Sequence, residues 1–498
     1  MALQFKKKEI SCLQNVLSQV HNLEQTQELR IPEGMSGVGR IPGCWGQVLI
    51  RSKAWNEDTV RVTGGVQVWL LCVPENGGEP ESLETWIPFQ ADLELPDNTR
   101  EGKIRVKALL RFCDARPVSA GKVLIRIGVG LQVQCWSPET AEVFQPEGTE
   151  DDIEVLTEHW PVMLIKEAGE KIFDLEDELI LPGSLPKPDK LLYYHFAAET
   201  TDKKVMGNKL VFRGNGFLHL LYRSEDGQLC GWDTELPISQ YVQLDESYSA
   251  DARADVMAEM TSLELNRNPD GRFFLHAGLT GQYLIADREL LETVADVYSP
   301  LREVSMERSR LDVPVLLEER QETVRTEKKV SVQKETIVDA LFLPDFPRQY
   351  QHEDNLNLEI PGVIQLLYRD SEDRLQGVNQ HWEEKLPMKA AGENHVFARP
   401  GRIQAQIQEN SDGTAVKMDM PVFLQFSTGA GIDMVTEVQQ GAVITMPENR
   451  PSVVVCRADG KSLWELARQN GSRVALIQEA NGIEEAPEPN RMILIPVV

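Results

Sequence analysis

Eight histidines and seven cysteines are the side chains of this 498-residue sequence that could bind a transition metal. The histidines are His21, His159, His195, His219, His276, His352, His381 and His395. None of them is spaced from another histidine or from a cysteine as the ligands of a zinc site are. The sequence therefore predicts no metal site and no cofactor. It places His219 within a buried strand, where we expect a core histidine with hydrogen-bond partners.

Gly460-Lys461-Ser462 is the nearest match to a phosphate-binding loop. A Walker A loop needs another glycine five residues before Gly460, and Val455 stands there. No Gly-x-Ser-x-Gly elbow for acyl transfer occurs either. Carboxylate pairs such as Glu225-Asp226 and Glu372-Asp373 are common, but they lie in polar loops, where solvated turns are expected. The chain is therefore predicted not to be an enzyme, with a hydrolase as an open alternative.

The charge balance limits the classes of partner. With 78 acidic and 51 basic residues the net charge is −27. Nucleic acids and anionic lipids need a cationic face, so both are disfavoured. Hydrophobic residues make up 41% and charged residues 26% of the sequence, as in ordinary globular domains.

The cysteines and the N-terminus indicate a compartment. The seven cysteines are odd in number and form no CxxC pair, which favours reduced thiols over a disulfide framework. The basic cluster at Lys6, Lys7 and Lys8 is followed by no apolar stretch. No signal peptide or transmembrane segment is predicted, and we expect the protein in the cytosol.

The sequence contains an internal repeat, in which similar stretches occur three times with similar flanking motifs. The stretches GVQVWLLCV (65–73), GFLHLLYR (216–223) and GVIQLLYR (362–369) each predict a strand buried on most of both faces. A hydrophobic-Pro-hydrophobic triplet follows each of them, at Ile87-Pro88-Phe89, Leu236-Pro237-Ile238 and Leu386-Pro387-Met388. An aliphatic-Pro pair precedes each of them, at Ile31-Pro32, Leu181-Pro182 and Leu343-Pro344.

The repeat and the period-two alternation predict a mainly β fold with three tandem sandwich-like modules. Their predicted bounds are 26–147, 161–300 and 311–441, after a leader at 1–25 that is either a helix or an edge strand. The acidic segment 147–152 and the segment 447–451 are predicted linkers.

Residues 451–498 break the β pattern. Ser462 and Glu465 have the spacing of a capping box, which starts a first helix. Asn470-Gly471 ends that helix, and Asn481-Gly482 ends a second one. With a strand on either side, the segment is predicted to be a small βααβ module.

This module resembles the LysM domain in Gly460-Lys461-Ser462-Leu463-Trp464, Leu466-Ala467, Asn481-Gly482 and Leu494-Ile495-Pro496. It departs from the family at Lys461, where aspartate is usual. The resemblance implies binding of N-acetylglucosamine polymers such as peptidoglycan through two loops. The residues of those loops would be Gly460, Lys461, Ser462 and Leu463 on one side and Asn481, Gly482 and Ile483 on the other.

Three β repeats followed by one such module resemble the SPOCS–LysM spore coat morphogenetic proteins of endospore-forming bacteria, the SipL-like family. The resemblance implies a non-enzymatic scaffold protein in the mother-cell cytosol, which links the coat basement layer to the forespore. Its LysM module would then dock the basement-layer morphogenetic ATPase. The alternative is a peptidoglycan-binding protein that uses its LysM loops in the ordinary way.

Overall fold

The computed structural model describes residues 4–35, 37–75, 77–148, 152–268, 270–352, 355–388, 395–411, 413–445, 449–484, 488 and 491–498. The predicted linkers at 147–152 and 447–451 lie partly outside these residues. The described chain is mainly antiparallel β, as the sequence predicts. Strand pairing divides it into three β units, at 4–148, 154–298 and 302–443, and a C-terminal module at 453–496.

The first two β units have six strands each. Unit one contains β1 (Gln4–Arg30), β2 (Val38–Asn56), β3 (Thr59–Pro74), β4 (Glu81–Glu94), β5 (Lys103–Ser119) and β6 (Lys122–Gly148). Unit two contains β7 (Glu154–Leu179), β8 (Pro188–Met206), β9 (Lys209–Ser224), β10 (Leu229–Gln243), β11 (Arg253–Arg267) and β12 (Phe273–Tyr298).

The third unit is split into more pieces. It contains β13 (Arg302–Lys329), β14 (Ile337–Pro344), β15 (Arg348–His352), β16 (Asn355–Arg369), β17 (Leu375–Pro387), β18 (His395–Pro400), β19 (Gln404–Asn410) and β20 (Gly413–Val443), with a short 3-10 helix at Lys334–Thr336. The C-terminal module contains β21 (Val453–Arg457), α1 (Leu463–Asn470), α2 (Val474–Asn481) and β22 (Met492–Pro496).

The same topology recurs in each β unit. The first strand pairs with the last, so that the sheets run β1-β6-β5, β7-β12-β11 and β13-β20-β18, with β19 also on β20. The second sheet is a meander around β3, β9 or β16. The predicted leader therefore includes an edge strand, because residues 4–25 belong to β1 and pair with β6. Alternating apolar residues of both sheets in a unit bury a shared core, the arrangement of a sandwich.

The repeated stretches form the central strands β3, β9 and β16, and the prediction that both faces are largely buried is confirmed for them. The hydrophobic-Pro-hydrophobic triplets that follow these stretches pair close to the opening glycine of the central strand in only two of the units. Ile87 and Leu236 pair with Val66 and Gly216. In the third unit Leu386 pairs with Leu358, and Trp382 pairs with Gly362.

The other landmark of the third unit is also displaced. Leu343-Pro344 ends β14 and pairs with the central strand. Ile31-Pro32 and Leu181-Pro182 instead follow the ends of β1 and β7. The repeat predicts that the three aliphatic-Pro pairs occupy equivalent positions in their units. This prediction is wrong for the third unit, because proline can stand at the end of a strand as well as in the loop before it.

A two-stranded ribbon extends from each sandwich. It pairs residues 4–14 with 137–148, 154–164 with 287–298 and 302–315 with 428–443. A bulge marks the start of every ribbon, at Val16, Lys166 and Leu317, which the register skips. A bulge bends a strand and increases its twist, which lets each ribbon leave its sandwich.

The three ribbons pack around one apolar core, which we call the ribbon bundle. Six residues before each bulge stand Ile10, Trp160 and Leu311, and all three contribute to this core. Their strand partners Ala141, Leu291 and Ile432 are buried in the same cluster. Equivalent residues of the three units thus meet, and the chain has an approximate threefold arrangement.

Candidate functional site

The C-terminal module has the predicted order of strand, helix, helix and strand. Its capping box is confirmed: the backbone N–H of Glu465 donates to Ser462 Oγ at 3.2 Å, and Ser462 N–H donates to Glu465 Oε2 at 2.8 Å. The hydrogen bond from the Ser462 backbone lowers the pKa of Glu465. The buried core consists of Ala458, Leu463, Leu466, Ala467, Ile477, Ile493 and Ile495.

Five of the seven predicted loop residues hold this small fold together. Ser462 caps α1, and Leu463 is buried in the core. Asn481 binds β22 with both ends of its amide, donating to Leu494 O at 2.6 Å and accepting from Leu494 N at 2.8 Å. Gly482 takes the left-handed conformation that ends α2, with φ at +60°, and Ile483 packs against the core.

Gly460 and Lys461 remain as exposed members of the predicted set. Gly460 has a φ of +78°, which favours glycine in the turn before α1. Lys461 Nζ donates to Gln469 Oε1 at 2.9 Å, so that the side chain lies along α1.

The structure links the two predicted loops at one end of the module. Ala458 N–H donates to Arg491 O at 3.0 Å, and the Arg491 side chain reaches Asn481 O at 3.4 Å. The turn before α1 and the turn after α2 are therefore held to the same residue.

The outer face of the two-stranded sheet β21–β22 is apolar and exposed. Val453, Val455, Met492 and Leu494 are 44–56% exposed, whereas the alternate residues face the core. Val455 and Leu494 are direct cross-strand partners. We call these four residues the apolar face. Contiguous exposed apolar surface is typical of a site that binds another macromolecule.

Asp296, near the end of β12, holds the module to the ribbon bundle. Its Oδ2 accepts from Trp464 Nε1 at 2.9 Å and from Arg468 Nη1 at 2.5 Å. Its Oδ1 accepts from Arg308 at 3.2 Å, across the ribbons. One carboxylate therefore joins the second unit, the third unit and α1.

Tyr298 completes this docking contact. Its ring meets Trp464 edge to face at 4.8 Å between centroids, and its hydroxyl donates to Ser472 O at 3.0 Å. Sequence reasoning missed Asp296 and Tyr298, since they stand in an ordinary alternating strand. Trp464 packs both against the core of the module and at this interface.

A second polar cluster lies where the three sandwiches meet. Asp255 of unit two accepts from Arg105 of unit one at 2.6 Å and from Arg399 of unit three at 2.6 Å. Arg105 and Asp255 are 1% and 3% exposed. Burial alone would raise the pKa of Asp255, but the charges of Arg399, Arg105 and Lys203 hold it well below its ordinary value.

Two equivalent glutamines add backbone contacts at this junction. Gln132 of unit one donates to Ala398 O at 2.9 Å. Gln282 of unit two bonds both backbone groups of Val106, at 2.8 and 2.7 Å. Phe423 occupies the corresponding position of unit three. The contact is thus made twice around the threefold arrangement, and the three units form one body.

His219 has one of the hydrogen bonds expected of a core histidine, at Nδ1, whereas its Nε2 lies beside a carboxylate of another unit without hydrogen-bond geometry. Its Nδ1 lies 3.0 Å from Asp233, and its Nε2 lies 3.0 Å from Asp339 of unit three. Burial disfavours the charged ring, but Asp339 and Asp233 outweigh it and raise the pKa of His219 to about 10. The charged form of the ring is therefore favoured by two neighbouring carboxylates.

Other features of the described residues can be stated briefly. No three His, Cys, Asp or Glu side chains among them are grouped as metal ligands. All seven cysteines are free thiols. Within the described part of the chain, no helix has the length and apolarity needed to cross a membrane. Comparison with family models, with curated proteins and with solved structures finds no match to this chain.

Proposed function

We propose that the chain is a non-enzymatic interaction protein of endospore coat assembly, which links the coat basement layer to the forespore from the mother-cell side. In this proposal the C-terminal module docks the basement-layer morphogenetic ATPase. The apolar face of β21–β22 carries the proposal, because its four side chains offer a protein partner surface that folding has left uncovered.

The placement of the module supports a docking role. Asp296 and Tyr298 fix α1 to the ribbon bundle, while the apolar face and Lys461 stay exposed. A partner bound there would be held at a set position relative to three β units that ion pairs join into one body. A fixed attachment lowers the entropy cost of assembling a layer.

The glycan alternative would use the loops instead of the apolar face. In the glycan alternative Gly460 and Lys461 would contact the sugar, since the other loop residues are engaged in capping, core packing and the Asn481–Leu494 hydrogen bonds. The two functions therefore predict that substitutions at different residues impair binding: at the apolar face for the protein partner, and at Gly460 and Lys461 for the glycan.

The test uses the full chain and two variants. We expect the wild type to retain the ATPase, and Val455→Ser with Leu494→Ser to weaken that binding at least about tenfold, because two apolar contacts are lost. Ile172→Ser, at an even more exposed apolar residue on β7, is the control and should bind as wild type.

Peptidoglycan sedimentation is measured on the same proteins. Cosedimentation that Lys461→Glu abolishes, with no retention of the ATPase, would overturn the proposal in favour of glycan binding. Lys209→Glu, at an exposed lysine of unit two, controls for the change of charge.

A further inference from the structure

A partly open cavity of about 480 Å³ lies at the junction of the three sandwiches. Its walls come from all three units: β2 and β5, then β8 to β11, then β14 and β18 to β20. Cavities of this size suit a small organic ligand. This site lies apart from the C-terminal module and is independent of the proposed docking role.

One wall is the outer face of β8 and β9. His195, Ala197 and Glu199 alternate along β8 and line the cavity, and Phe196 between them borders it while packing in the sandwich core. Across the sheet, His195 pairs with His219 and Ala197 with Phe217, which line the cavity as well. This face carries polar groups at its ends and an aromatic ring between them.

Arg402 borders the same wall, where its backbone N–H bonds Glu199 and its charge acts on Glu199 and Asp233, but its guanidinium forms no ion pair among the described residues. Its guanidinium stacks over the Phe217 ring, 4.2 Å from the centroid. The other cations that line the cavity are paired, Arg399 with Asp255 and Lys107 with Glu259. Arg402 therefore has hydrogen-bond donors available to an anion.

Two buried polar atoms on the β8 wall also have no partner. They are His195 Nδ1 and Glu199 Oε1. Burial, together with His219 and Arg402, lowers the pKa of His195 to about 3, so its ring is neutral. Burial also raises the pKa of Glu199, although the Arg402 backbone N–H and the charge of Arg402 act in the opposite direction. Buried polar atoms without hydrogen bonds destabilise a site, and a polar group of a bound ligand would supply the missing bonds.

We propose that this cavity binds a small organic acid with an apolar body. The acid group pairs with Arg402, the apolar body lies against Phe217 and the aliphatic side chains of β14, and a polar atom of the ligand meets His195 and Glu199. The cation, the ring and the two unpartnered atoms all border the same cavity, and together they match a single amphipathic anion.

The test uses anilinonaphthalene sulfonate, a fluorescent aromatic anion, with the full chain. We expect saturable binding at one site per chain, which benzoate displaces. Arg402→Gln should weaken it about tenfold or more, the loss of one charge-assisted hydrogen-bonded contact of about 1.5–3 kcal/mol. Ala197→Phe should block it by filling the cavity. Arg374→Gln, in an exposed loop, is the matched control and should leave binding unchanged.

The probe can also adhere to the apolar face, so all variants are built on Val455→Ser with Leu494→Ser. Wild-type affinity in both Arg402→Gln and Ala197→Phe, or no saturable binding in the parent, would overturn the proposal. Circular dichroism identifies a variant that fails to fold. If Arg402→Gln fails to fold, two other measurements test the proposal. One is binding by Ala197→Phe, whose side chain lies outside the apolar cores, and the other is displacement of the probe from the parent by benzoate.

Discussion

Arg105 and Asp255 form an ion pair of 2.6 Å between two β units, with both side chains almost fully buried. Removing the carboxylate leaves Arg105 and Arg399 as buried charges without their anion. We therefore expect Asp255→Ala to lower the free energy of unfolding by about 3–5 kcal/mol. Urea denaturation followed by circular dichroism measures the change.

An exposed ion pair supplies the control for this prediction. Arg310 and Asp312 lie 3.2 Å apart with both side chains well exposed. Asp312→Ala should cost less than about 1 kcal/mol, since solvent screens such pairs. Equal losses in the two variants would show that the Asp255 cluster does not stabilise the junction.

His219 predicts a loss of stability at alkaline pH. Its folded-state pKa of about 10 lies above the ordinary value of 6.5, so the folded state binds this proton more tightly. The contribution is complete below about pH 6.5 and is lost as the pH rises to about 10. The groups that face the ring are Asp233, Asp339, His195 and Tyr193.

The measurement compares urea midpoints of the wild type and His219→Gln across this range of pH. We expect the wild type to lose stability steadily and the variant, which lacks the titrating ring, to show a shallower slope. Parallel slopes would contradict the assignment. Asp255 acts in the opposite direction, because its lowered pKa makes its contribution full above the ordinary aspartate range and lost in acid.

The sequence predicts the strands better than their partners. Alternation identifies GFLHLLYR as a buried strand, and the cap spacing of Ser462 and Glu465 locates α1, since both signals are local. The ribbon bundle depends on contacts between Ile10, Trp160 and Leu311, which are about 150 residues apart. No local pattern indicates such contacts. The proline landmarks also align the third unit with the other two incorrectly, by several residues along the strands.

The candidate site shows the same division. Asn481-Gly482 is recognisable in the sequence as the end of a helix, and in the structure it ends α2. Asp296 and Arg402 look like ordinary polar residues of β strands in the sequence. Their roles arise from groups that other parts of the chain bring to them, Trp464 to Asp296 and the Phe217 ring to Arg402.

The docking of the C-terminal module predicts a local effect of Asp296→Ala. The variant loses the acceptor for Trp464 Nε1 and Arg468, and a hydrogen bond to a charged group contributes about 1.5–3 kcal/mol. We expect at least tenfold faster hydrogen exchange at the Tyr298–Trp464 contact, and faster proteolysis at residues 449–452, just before β21. Mass spectrometry measures both.

The matched control is Asp419→Ala, in an exposed and longer contact with Arg325. It should leave exchange in the C-terminal module unchanged. If exchange in Asp296→Ala stays at the wild-type rate, the module is held by other contacts.

The loop residues of the C-terminal module predict opposite consequences for Asn481 and Lys461. Asn481→Ala removes the amide that bonds both backbone groups of Leu494, so we expect the module to lose about 1–3 kcal/mol. Lys461→Ala removes one exposed hydrogen bond to Gln469 and should change stability by less than about 0.5 kcal/mol. Hydrogen exchange within α2 and β22 reports the difference. Equal effects would contradict a structural role for Asn481.

Cys44 and Cys113 predict a cross-link between the two sheets of the first unit. Their Sγ atoms lie 3.0 Å apart, on β2 and β5, as free thiols. Burial, and the neighbouring Cys113 sulfur, raise the pKa of Cys44 well above its ordinary value. Few thiolates are therefore present, and reaction should be slow at neutral pH and faster in alkali.

Diamide, which takes up the two thiol hydrogens as the sulfur–sulfur bond forms, supplies the oxidant. We expect peptide mass spectrometry to find the Cys44–Cys113 disulfide, while Cys12 and Cys456 stay reduced. Closing a loop of this length should stabilise the chain by about 4 kcal/mol against urea, provided that the bond forms without strain. Cys44→Ser controls for other reactions. Oxidation that links Cys113 to another cysteine, or no oxidation in alkali, would contradict the predicted pairing.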